Sequence, residues 1–162
     1  MKVFLSGIIT TPYAREFLAR CADALRQQGF ECYTPSSGSW EPGTSDRSES
    51  AVEDDYEALE QADVLLVILD GYNVNDGVAG HIGSFYALMK RDAAKKGILG
   101  VLHDTRVARW DWAAGATALN YYILGCVQER GGIYRSFVEA LAELLRWAGR
   151  TADLGRIEAG LA

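Results

Sequence analysis

The sequence predicts a single-domain α/β protein: a doubly wound, mostly parallel five-stranded sheet with helices on both faces. Three observations carry this. Short β-rich runs alternate with helical stretches through the first two-thirds of the chain, the pattern of right-handed βαβ crossovers. The runs at residues 63–70 and 98–102 are apolar almost throughout, as strands covered on both sides must be. A chain of 162 residues holds one core comfortably and two hardly at all.

The elements follow in order. Lys2, Val3, Phe4, Leu5 and Ser6 form a β-rich run closed by Gly7. Thr10, Thr11 and Pro12 then supply a hydroxyl cap and a proline for the first helical turn. Phe17, Leu18, Cys21 and Leu25 recur at helical spacing, and Gly29 supplies the stop. Residues 30–33 read as the second strand. Residues 35–50 are rich in Ser, Gly and Pro and read as a loop over the ligand face.

A second helix is expected over about 48–62, with Val52, Tyr56 and Leu59 facing inward. The strand at 63–70 leads through a loop at 71–77 into a helix over about 78–91, and the strand at 98–102 follows. Residues 119–127 fit either a helix or a strand, whereas 134–147 are amphipathic at helical period. Residues 1–150 are taken as one domain and 151–162 as a C-terminal tail. The sheet type is that of flavodoxin-like or Rossmann-like proteins.

Composition narrows the function. The formal net charge of −6 argues against nucleic acid polymers or anionic membrane as main partners, since both require a basic surface. Three scattered cysteines, Cys21, Cys32 and Cys126, form no CxxC pair, and there are only two histidines. No metal site and no cofactor is expected. Unpaired cysteines, with no basic-then-apolar leader and no long apolar run, lead us to expect a cytoplasmic protein.

Ligands of such sheets bind beyond the carboxyl ends of the strands. The loop after the third strand is the richest there, running Asn73, Val74, Asn75, Asp76, Gly77, Val78, Ala79, Gly80, His81, Ile82, Gly83. Its glycines allow close backbone approach to a ligand, and the helix it opens presents free N–H groups. The first loop, with Ser6, Gly7, Thr10, Thr11 and Tyr13, could hold a base, a ribose hydroxyl or a phosphate. Helix capping explains Thr10 or Thr11 equally well.

These residues resemble the nucleoside 2-deoxyribosyltransferase family. The resemblance rests on Lys2 to Gly7, Asp55 on a helix, Ala62-Asp63 opening an apolar strand, Asp76-Gly77-Val78 with Ile82-Gly83, and a later Asn120. Asp55 stands 8 positions before Asp63, and Gly77 stands 14 after it, matching the family's order without a gap. The resemblance covers about residues 1–125. It implies a nucleoside or nucleotide as ligand, and a homodimer or higher homo-oligomer in which Asn120 reaches an adjoining subunit's site.

It also brings departures. The family's nucleophilic glutamate is replaced by His81, its sugar-contacting aspartate by Asn75, and its first-strand tyrosine by Phe4. The resemblance implies that Asp55 handles the leaving base and that Asn120 and the position held by Asn75 meet the sugar; Ser6, Gly7, Asp76, which could take over the sugar contact, and Gly77 complete the expected substrate-binding set. His81 could act as general base or nucleophile, or instead cap its helix or fill space beside Phe85.

The other candidates keep their structural alternatives. Asp55 could be a solvated helix charge beside Glu53 and Asp54, Asp76 a turn aspartate, and Asp70 a strand-end cap. Trp110 and Trp112 could stack on a base or pack at an interface, and Arg106 and Arg109 could meet a phosphate or a partner's acidic surface. The expected activity is transfer or hydrolysis at an N-glycosidic bond. The alternative is a regulatory protein that binds a nucleotide-like ligand without turnover.

Overall fold

A computed structural model describes residues 1–35, 47–106 and 119–151. Trp110, Trp112, Arg109, the bulk of the 35–50 loop and the tail beyond Thr151 therefore lie outside the described residues. Five strands and five helices are described: β1 (Lys2–Ser6), α1 (Pro12–Gln27), β2 (Glu31–Tyr33), α2 (Arg47–Gln61), β3 (Val64–Ile68), α3 (Asp76–Met89), β4 (Gly97–Val101), α4 (Tyr121–Gln128), β5 (Gly132–Tyr134) and α5 (Phe137–Trp147). The sheet is parallel throughout, in the order β2-β1-β3-β4-β5.

Every residue of β3 and β4 is buried. Strand alternation sends Val3 and Leu5 to one face, against Leu18, Cys21 and Leu25 of α1 and Leu141 and Leu144 of α5. Phe4 goes to the other, with Leu59 of α2, Ile82 and Phe85 of α3, and Ile123 and Val127 of α4. Helices thus cover both faces, and the doubly wound expectation holds.

Local chemistry accounts for the ends. Thr11 Oγ1 accepts from the Ala14 N–H, with Pro12 in the first turn, and Gly29 closes the helix at φ +76°. The Ala62-Asp63 pair is a structural joint. Asp63 accepts from the Lys2 N–H at 2.7 Å and returns its own N–H to the Lys2 carbonyl at 2.9 Å, tying β1 to the start of β3. Buried Lys95 donates to the carbonyls of Glu60 and Ala62, both at 2.7 Å, and so satisfies the end of α2.

Two details differ from the sequence reading. Helix α3 begins at Asp76, because Asn75 Oδ1 accepts from the N–H groups of Gly77 and Val78 and starts the helix early. In α2 the expected inner residues Val52 and Tyr56 are 68% and 43% exposed, and only Leu59 is buried. The inward stripe is instead Asp55, Ala58, Leu59 and Ala62, rotated by about one residue step. That rotation brings Asp55 inward.

Candidate active site

In a 2-1-3-4-5 sheet the crevice opens where chain order reverses, between the carboxyl ends of β1 and β3. Ser6 ends β1 and lies beside Val67 of β3. It shares the Phe4 face, towards α2 and α3. His81 stands in the second turn of α3, just past β3. Asp55 comes from α2 and Tyr33 from the end of β2.

These four side chains form one hydrogen-bonded chain. Ser6 Oγ and His81 Nδ1 are 2.8 Å apart, and His81 Nε2 and Asp55 Oδ2 are 3.2 Å apart. The Tyr33 hydroxyl donates to Asp55 Oδ1 at 2.9 Å. Beneath them lies Phe4, its ring centroid 5.0 Å from both the Tyr33 and His81 rings. Ser6 is fully buried behind the imidazole, whereas the His81 and Asp55 side chains keep 17% and 21% of their surface open. Burial, and then the bond to Asp55, pushes the Tyr33 phenol well above its ordinary value. It remains a proton donor throughout the physiological range.

Chemically, the pair can take a proton and give one back. Its imidazole is neither a helix cap, which is Asn75, nor an isolated ring. The acidic neighbours Asp54 and Glu57 line a hollow of about 460 Å³ on the far side of Tyr33, between β2 and α2, with Lys2, Glu31 and Gln61. Its lining includes Tyr33 but neither His81 nor Asp55, so the hydrogen-bonded pair lies outside this hollow.

The remaining candidates fall elsewhere. Asp76 Oδ1 accepts from the Gly77 N–H at 2.8 Å, at the mouth of α3. Gly7 follows Ser6 directly, and a Cβ there would lie 2.8 Å from Leu18 Cδ1, so the turn after β1 packs tightly on α1. Asn120 caps α4, accepting from the Tyr122 N–H at 2.9 Å, and is exposed beside Tyr121 and Tyr122.

Asp70 accepts from the backbone of His103 and Asp104 and pairs with the His103 ring. Arg106 is buried against Asp104, with Nη2 2.8 Å from Oδ2, and also donates to the Leu69 carbonyl. These residues clasp the ends of β3 and β4 together, and Arg106 is committed to that clasp. Burial works to raise Asp104, but the Arg106 guanidinium and the N–H groups of Gly71 and Arg106 outweigh it and hold the carboxyl below its usual value.

The clasp has a sign in pH. The bond to Asp70 raises His103 above its ordinary 6.5, against the opposing effect of burial. A raised folded-state value means that His103 adds stability below 6.5 and loses that contribution as pH rises through the folded value. We expect the melting temperature of the native chain to fall over this interval more than that of His103→Gln, by differential scanning fluorimetry across pH. Parallel curves would remove His103 from the account.

Tyr33 is the site residue that the sequence reading missed. The signal was available: it is the last residue of a strand, it directly precedes the loop over the ligand face, and it lies beside Phe4 in the strand register.

Among the described residues no helix is long and apolar enough to cross a membrane, and no three His, Cys, Asp or Glu gather as a metal cluster. Burial pushes the Cys21 and Cys32 thiols up to about 12 and about 11, respectively. Neither is poised as a nucleophile.

The sheet order defines a flavodoxin-like α/β protein, with the Tyr33–Asp55–His81–Ser6 chain at its switch point. A family profile described as nucleoside 2-deoxyribosyltransferase like matches residues 1–93, and the chain belongs to that family. Its fold is similar to that of a conserved protein from Enterococcus faecalis V583 (21% identity, TM-score 0.71, 91% of this chain and 98% of that one). It is similar also to a 2-deoxyribosyltransferase from Bacillus psychrosaccharolyticus (17%, 0.61, 86% and 89%). A third likeness is to a CMP N-glycosidase from Clostridium botulinum (20%, 0.54, 89% and 98%). Among curated proteins no significant match is found.

Proposed function

We propose that this protein cleaves the N-glycosidic bond of a nucleoside or nucleotide, passing the sugar to water or to another base. The observation that carries the reading is the partly open His81–Asp55 pair, with its 3.2 Å separation, in a family whose members act on such bonds. In hydrolysis, a water at the open edge gives up a proton to the His81–Asp55 pair, which acts as one general base. Its oxygen bonds to the anomeric carbon, and the C–N bond breaks with its electrons on the base. The pair then returns a proton to that base, the role assigned to Asp55. Gly7, Asn75, Asp76 and Gly77 border the sugar at the mouths of β1 and α3, and Ser6, expected there from the sequence, acts from behind the His81 ring. Asn120 reaches the sugar site of a second copy in a homo-oligomer.

A second reading is a binding protein that recognises a nucleotide-like ligand without turnover. One observation favours it: both ring nitrogens of His81 already have protein partners. Incubation with deoxynucleosides and nucleoside monophosphates, followed by chromatography for free base, separates the two. Enzyme-dependent base release supports cleavage. Saturable binding with every ligand intact would leave only the binder.

A further inference from the structure

The chain of four side chains has a direction, and it is set by the Asp55 carboxylate at its centre, which Tyr33 holds from one side. A phenol near neutral pH has one proton to give, and a carboxylate has none. Tyr33 therefore donates to Asp55 Oδ1, and Asp55 offers only acceptor oxygens to its second partner. The neutral His81 ring must then carry its proton on Nε2, which faces Asp55 Oδ2. Nδ1 is left as an acceptor, and the Ser6 hydroxyl, which can either donate or accept, donates to it. The donor roles of Tyr33 and His81 Nε2 follow from the carboxylate between them, and that of Ser6 follows from His81.

We propose that Tyr33 is a positioning residue: it fixes the orientation of the Asp55 carboxylate, whose acceptor-only oxygens hold His81 in the Nε2–H tautomer, with that proton at the open edge of the site and the basic nitrogen turned inward to Ser6. Three features make Tyr33 suited to this. Its phenol resists ionisation because of burial and the bond to Asp55. Its ring is set against Phe4, with centroids 5.0 Å apart, and that packing aims the hydroxyl. It belongs to β2, whereas Asp55 and His81 belong to α2 and α3, so the sheet orients a pair made between two helices. Ser6 is sealed behind the ring and serves as the inner stop of the chain rather than as an exposed nucleophile. The tautomer follows from the hydrogen bonds alone; its use in turnover rests on the N-glycosidic reading.

The test is spectroscopic. In ¹⁵N-labelled protein, two-bond ¹H–¹⁵N correlations distinguish protonated from unprotonated ring nitrogens. At a pH where the ring is neutral we expect Nε2 of His81 to be the protonated one. In Asp55→Asn, Tyr33 keeps hold of the amide oxygen and leaves the NH2 group facing Nε2, so the tautomer reverses to Nδ1–H. In Asp55→Asn with Tyr33→Phe, the amide is free to turn and the reversal is lost. An Nδ1–H tautomer in the native chain, or a reversal that persists without the Tyr33 hydroxyl, would overturn the proposal. The native chain and Asp55→Asn decide the first point even if Tyr33→Phe fails to fold.

Where base release is measurable, Tyr33→Phe lowers kcat by about 10- to 100-fold, as loss of one hydrogen bond to a charged group would, and leaves KM in place. A chain that releases no base, yet shows the tautomer pattern, defeats the enzyme reading and leaves this inference standing.

Discussion

Asp55→Asn and His81→Ala each lower base release by about 100- to 10,000-fold, the range expected for removal of a positioned proton-transfer group. Both side chains are partly open above Phe4 at the edge of the core rather than within it, so the variants remain folded. The two residues act as one hydrogen-bonded unit, and the double variant should be little worse than either single one. Steady-state kinetics with circular dichroism as a folding control checks this. Two losses that multiply would mean the side chains work independently. His81→Glu tests the same pocket from another side: gain of deoxyribosyl transfer would show that the surroundings still suit a carboxylate nucleophile.

The second large effect is on stability. Gly97→Ala and Gly131→Ala should each cost about 3 kcal/mol or more, because a Cβ at either would overlap backbone atoms, and at Gly97 the strain of its φ is added. Gly97 has φ +155°, and a Cβ there would stand 1.7 Å from the Arg130 carbonyl oxygen. One at Gly131 would stand 1.8 Å from the Ile98 carbonyl oxygen. Neither obstacle is a movable side-chain tip. Ile98 lies in β4, which is paired on both sides, so its backbone has nowhere to retreat. Gly80→Ala is the contrast, since nothing lies within 4 Å of a Cβ at this helical position. That variant should gain about 0.5–1 kcal/mol from lower backbone entropy in the unfolded chain. Urea melts would measure all three. Equal stabilities would refute the close approach of β4 to the turn before β5.

The sheet was legible wherever burial left a long signal. The strands at β3 and β4 announce themselves as unbroken apolar runs, and α1 carries its own cap and proline. Residues 119–127 stayed ambiguous because a short apolar run fits either period; the Asn120 cap decides for the helix. Strand β5 escaped notice because Gly132–Tyr134 is three residues long and half-buried. At the site, motif spacing singled out His81 and Asp55, and the structure brings them into contact. The inner face expected for α2 was wrong in part, since Val52 and Tyr56 face outward, and the partners of Asp55 come from other elements. Tyr33 was hidden for the same reason: its partner is 22 positions away in sequence, and no local period reports such a meeting.

The outermost strands, β2 and β5, have three residues each, against five in each of the other three. A sheet that tapers at its rims leaves few unsatisfied peptide groups in a row for a foreign strand to zip onto. The protein can therefore keep two fully apolar strands at its centre and still resist templated fibril growth.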